Sequence, residues 1–116
     1  MEQEYALRGT IIADGQEIRD GLVVVAAGKI VYAGEAEAYA GECPAQLLTV
    51  ENGRICPGLV DMHMHGIDGH DTMDGTPESL QAISGALARY GVTSFLATTM
   101  TAPYAELEPV LENIAR

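Results

Sequence analysis

Cys56-Pro57-Gly58-Leu59-Val60-Asp61-Met62-His63-Met64-His65-Gly66 is the stretch that decides how this chain reads. Opened by Pro-Gly and closed by Gly, it is an almost continuous apolar run, long enough for a buried strand and too short for an ordinary helix. Side chains alternate between the faces of a strand, so Leu59, Asp61, His63 and His65 share one side and Val60, Met62 and Met64 the other. The first face carries ligands; the second is expected to bury against a helix layer. Two imidazoles at i and i+2 bring two nitrogen donors to one spot without bending the backbone, and neutral imidazole suits zinc, iron or copper. A single His beside an apolar run is more often a hydrogen-bonded core or surface residue. Two on one face, with Asp61 behind them and a Gly-rich loop after them, point to a metal.

Outward from this strand, residues 66–75 form a polar loop with three glycines, three aspartates and His70. Thr76 is placed to cap a helix whose first position is Pro77, with Glu78 favourable to the helix dipole. Leu80, Ile83, Leu87 and Tyr90 recur at helical spacing over residues 77–90, and Gly91 ends the segment. A strand over 93–98 follows, then a second helix carrying Leu107, Val110, Leu111 and Ile114, with Pro109 expected in its first turn. Strand, helix, strand, helix from residue 57 onward is a βαβα unit with parallel strands.

Toward the N-terminus, residues 4–12 read as a strand and Ala13-Asp14-Gly15-Gln16 as a turn. Leu22–Ala26 and Ile30–Gly34, joined through Ala27-Gly28-Lys29, read as a hairpin. Residues 35–45 have no clear period and are expected to be loop or a weak helical turn. Gln46–Val50 is a further short strand, and residues 51–54 are expected to turn the chain toward Ile55. The first ~55 residues therefore form a small β-sheet module.

The chain has 116 residues, 47% hydrophobic and 20% charged, with a formal net charge of −11. The acids are spread along the chain, and nothing resembles the clustered Lys and Arg of a nucleic-acid surface or a partner for anionic membranes. No run of ~18 apolar residues occurs, and Met1 to Tyr5 lacks the basic and apolar regions of an export signal. Cys43 and Cys56 are the only cysteines, better read as reduced thiols in the cytosol than as a disulfide framework.

Pro57 to Gly66, followed by Gly69-His70-Asp71-Thr72-Met73-Asp74-Gly75-Thr76-Pro77, resembles the first barrel strand and first loop of the amidohydrolase superfamily. The Asp-x-Met-Asp-Gly-Thr-Pro loop and Thr93-Ser94-Phe95-Leu96-Ala97-Thr98-Thr99 narrow the resemblance to the N-acetylglucosamine-6-phosphate deacetylase family. The fold this implies is α/β: residues 1–55 as the N-terminal part of a composite β-sandwich, and 56–116 as the first two βα units of a TIM-type (β/α)8 barrel. Such a barrel typically needs ~250 residues, so the chain reads as an incomplete, N-terminal piece, inactive alone, with orphan strand edges open to self-association.

The resemblance further implies hydrolysis of the N-acetyl amide of N-acetylglucosamine 6-phosphate to glucosamine 6-phosphate and acetate. By matching position His63 and His65 would be metal ligands, for zinc or iron, in a site able to hold two ions. The general base and the groups that hold the sugar phosphate match nothing in this chain. Asp61 is expected behind the ligands or capping the strand, His70 as a loop residue, and Asp71 and Asp74 as either mouth-lining groups or Asx-turn residues. Gly66, Gly69 and Gly75 lack the spacing and Lys of a P-loop. Thr98, Thr99 and Thr101 either face the mouth or cap the next helix. A cyclic amide of the dihydroorotate or hydantoin kind is the alternative substrate, and a non-catalytic assembly module the alternative role. A homo-oligomer is compatible with all three.

Overall fold

The computed structural model describes residues 4–116, which divide into two compact units between Pro57 and Gly58. In the first unit β1 (Tyr5–Ala13), β2 (Gln16–Ala26), β3 (Lys29–Glu35) and β4 (Leu47–Ile55) form one sheet in the order β3-β2-β1-β4. β1 pairs antiparallel with β2 and β2 with β3, whereas β4 returns parallel to β1. Both hairpins close on two residues with positive φ, Asp14 (51°) with Gly15 (73°) and Ala27 (51°) with Gly28 (70°). That is the backbone of a type I′ turn, whose twist matches the flanking strands. Residues 36–38 make one 3₁₀ turn, the weak helical turn expected in that region.

Strand β2 begins at Gln16, well before the β-branched run, because the tight turn at Asp14-Gly15 delivers the mostly polar residues 16–20 directly onto β1. The turn expected over 51–54 is not present. β4 runs through it unbroken, and Gly9 faces Val50 while the next residue, Thr10, faces Arg54. The extra residues are absorbed as a bulge against β1 instead of reversing the chain.

Leu22 and Val24 pack with Ala6 on one face of this sheet, beside Tyr32, Ala36 and Tyr39. The tyrosine rings lie 4.8 Å apart between centroids. Val23, Val25 and Ile11 cluster on the other face. A strand apolar on both sides reads as a continuous hydrophobic run, which is why Leu22–Ala26 shows no alternation. The second face opens as an apolar groove of about 260 Å³ lined by Tyr5, Leu7, Ile11, Val23, Val25 and Ile55 among others.

In the second unit β5 (Leu59–Met64) pairs parallel with β8 (Val92–Ala97), and a small antiparallel pair, β6 (Gly66–Ile67) with β7 (His70–Asp71), stands between them in sequence. Helix α1 (Pro77–Ala88) packs on β7, β6 and β8, and α2 (Tyr104–Ile114) packs on the 3₁₀ turn at 72–74. Thr76 caps α1 as expected, its hydroxyl accepting from Ser79 N at 3.3 Å, with Pro77 in the first turn. Ile83, Ala86 and Leu87 are buried, but Tyr90 lies past the end of the helix and is exposed.

Two further expectations fail here. Pro109 is inside α2, since the helix starts at Tyr104 after Pro103, so the carbonyl of Ala105 has no N–H four residues on to receive. Val60 and Met62 are 65% and 76% exposed, so the face opposite the histidines is not buried against a helix layer. Only Met64 on that face is half-buried. Among the described residues no helix is long and apolar enough to cross a membrane.

Candidate metal centre

His63 is the fifth residue of β5 and His65 follows its end directly. Their Nε2 atoms stand 3.1 Å apart, with ring centroids at 4.9 Å and planes at 77°. Sharing a face, as alternation requires, brings the rings close; hydrogen bonds to the backbone around them set their aim. Asp61 Oδ1 accepts from the backbone N–H of His63 at 3.0 Å, so Asp61 caps its own strand rather than touching an imidazole. His65 Nδ1 lies 3.0 Å from the carbonyl oxygen of Thr98. A carbonyl only accepts, so His65 carries its proton on Nδ1 and turns the lone pair of Nε2 toward His63.

The donor set fits a divalent cation. Metal–nitrogen bonds run about 2.0–2.1 Å, and two nitrogens 3.1 Å apart at that distance subtend about 100° at the ion, between octahedral and tetrahedral values. The same 3.1 Å is hydrogen-bond distance, and an ion between the two nitrogens would displace any proton they share. His63 is exposed and His65 half-buried, leaving the pair accessible from solvent. Among the described residues no group of three or more His, Cys, Asp or Glu side chains converges on one point.

The acidic loop after the strand serves local architecture. Asp71 caps the 3₁₀ turn at 72–74, accepting from Met73 N at 2.8 Å, while Asp74 Oδ2 accepts from Asp71 N at 2.9 Å, a reciprocal capping box. Asp74 also accepts from the Ser79 hydroxyl at 2.8 Å, which ties the loop to α1. The Asp71 N–H and the Ser79 hydroxyl hold the Asp74 carboxyl below its ordinary value. His70 lies in β7 and is exposed. A side chain at Gly66 would run into the His70 carbonyl, so the small hairpin folds back on the strand end only because residue 66 has none.

None of Thr98, Thr99 and Thr101 caps the next helix. No side chain caps α2, whose N-cap is Pro103. Thr98 instead reaches back to the end of β5. Its N–H donates to Met64 O at 2.8 Å, its hydroxyl accepts from Met64 N at 3.1 Å and donates to Leu96 O at 3.0 Å, and its carbonyl receives His65. Sequence reasoning missed this anchor because it depends on the register between two strands more than thirty residues apart.

The second unit thus presents a His-x-His strand end, a parallel neighbour and a helix-bearing segment between them. No family model matches the chain. It is similar to N-acetylglucosamine-6-phosphate deacetylases, with 41% identity over 80 residues to the enzyme of Vibrio furnissii, 69% of this chain and 20% of that one. With the Bacillus subtilis enzyme the identity is 35% over 106 residues, 89% of this chain and 26% of that one. A variant of the Mycobacterium smegmatis deacetylase solved in complex with N-acetyl-D-glucosamine-6-phosphate matches at a TM-score of 0.79 and 25% identity, covering 97% of this chain and 29% of that one. The chain thus spans 20% and 26% of the length of these two curated relatives.

Proposed function

We propose that this chain supplies the opening metal-binding strand of an N-acetylglucosamine-6-phosphate deacetylase, with His63 and His65 as ligands. The observation that carries this reading is the 3.1 Å approach of their Nε2 atoms, with one lone pair aimed by the bond from His65 Nδ1 to Thr98. Residues up to 55 are read as part of a β-sandwich, and 56–116 as the first two βα units of a barrel. In such barrels the ends of the strands carry the chemistry, and both histidines stand at that end of β5.

An amide is a poor electrophile, and neutral water a poor nucleophile. A zinc or iron ion held here would polarise the amide carbonyl and make water a competent nucleophile at neutral pH. The chain's own part is to present two neutral nitrogens at fixed separation, with Asp61 fixing the backbone of His63 and Thr98 fixing the ring of His65. Two ligands alone hold an ion weakly, and residues 58–116 offer a sugar phosphate only Arg89 and Arg116 as cationic side chains of Lys or Arg type. Acetate release is therefore assigned to an assembly in which further barrel strands complete the centre. The two free, exposed cysteines suit a reducing compartment, and the cytoplasm is the proposed location.

The test is acetate release from N-acetylglucosamine 6-phosphate by the full-length protein that carries this chain. Replacing His63 and His65 together by Ala should lower it at least about a hundredfold. Unchanged release in the double variant would remove both histidines from the centre. Ring-opening of hydantoin without acetate release would move the substrate to cyclic amides.

A further inference from the structure

We infer that Thr98 is a positioning residue for His65, its hydroxyl holding the β8 end so that the Thr98 carbonyl fixes His65 as the Nδ1–H tautomer. The inference deepens the metal-site reading, on which its affinity arm rests; its tautomer arm stands without any metal.

The argument begins with register. Asp61 faces Phe95 across the parallel pair, but Met64 faces Ala97, so β5 holds one more residue than β8 between these points. A bulge of this kind breaks the ladder, and the N–H of Met64, half-buried, needs an acceptor that the regular pattern no longer supplies. The Thr98 hydroxyl takes that place, accepting from Met64 N at 3.1 Å while donating its own proton to Leu96 O at 3.0 Å. With Thr98 N on Met64 O at 2.8 Å, residue 98 is held from three sides. Its remaining polar group is the carbonyl that receives His65 Nδ1. Only Ser or Thr offers both an acceptor and a donor on so short a stem.

A ring proton fixed on Nδ1 leaves Nε2 as the sole lone pair, and Nε2 is the atom that faces His63. Without the hydroxyl, Met64 N–H loses its partner, the strand end relaxes and the tautomers mix. Thr98 touches neither ligand nitrogen that faces the site. It acts through His65.

The experiment is ¹⁵N NMR of the imidazole nitrogens in the metal-free chain, paired with zinc titration by calorimetry, for wild type, Thr98→Val and Thr98→Ser. In wild type His65 should be the Nδ1–H tautomer; finding Nε2–H there would overturn the proposal without any variant, whatever the folding of the others. Thr98→Val should populate both tautomers and weaken zinc about tenfold, and Thr98→Ser should restore both readouts. A Thr98→Val chain that keeps a pure Nδ1–H ring overturns it as well. If wild type binds no zinc while Thr98→Val still mixes the tautomers, the positioning role stands and the two imidazoles alone do not hold the ion.

Discussion

At the scale of single residues, the site depends on atoms that have no choice of place. Gly66 is the clearest case, because the hairpin β6–β7 folds so closely over the strand end that the His70 carbonyl occupies the position of a Cβ. Thr72 N then donates to His65 O at 2.7 Å, which links this fold-back to the second histidine. Replacing Gly66 by Ala should cost about 1–3 kcal/mol, the usual range for overpacking. Urea denaturation of the two proteins checks this; equal midpoints would mean that the hairpin yields without loss. That His63 and His65 share a face, with Asp61 behind them or capping the strand, was legible in the sequence, since alternation alone sets the faces. Thr98 was not, because nothing in its neighbours distinguishes a threonine that repairs a bulge from one that caps a helix.

Among the elements, local chemistry was the most readable where a cap or a turn decided the matter. Thr76 and Pro77 start α1 as their types dictate, and the hairpins close at Asp14-Gly15 and Ala27-Gly28. The errors came where pairing overrode local signals. β4 passes through Glu51-Asn52-Gly53-Arg54 because the ladder with β1 resumes beyond it, and α2 tolerates Pro109 in its interior. The loop from Asp71 to Ser79 gives an element-scale prediction. Asp74 has its folded pKa lowered by the Asp71 N–H and the Ser79 hydroxyl. Its charge therefore stabilises the capped loop fully above the ordinary carboxylate value near 3.8, and that stabilisation is lost as pH falls through the lower folded value. Protection of the Asp71 amide against exchange should fall on acidification below that point, and in Asp74→Ala it should already be low at neutral pH. A flat profile in wild type would show that the carboxylate contributes nothing to the loop.

For the whole molecule, composition identified a folded acidic chain with two kinds of architecture, and the order of elements separated a β module from a βαβα unit. Orphan strand edges were expected from it; the open apolar face carrying Val60 and Met62 was not. Val60, Met62 and Leu96 are each more than 60% exposed on a two-stranded sheet, and a strand edge with such neighbours is a template for another chain. The net charge of −11 opposes association at low salt and is screened as salt rises. Sedimentation velocity on the 116-residue chain should show self-association that increases with salt. Met62→Lys should reduce it at every salt concentration; a monomer under all conditions would show that the edges protect themselves.

The bonds that aim His65 join residues 33 and 34 positions apart, across the whole of α1. Closing so long a loop carries an entropic cost that no local contact offsets, so these bonds form only once the helix has folded back and β8 has docked. The paired histidines are consequently a late product of folding. A chain with its helices formed but β8 undocked would still have both imidazoles, two positions apart in sequence and with nothing to fix their aim.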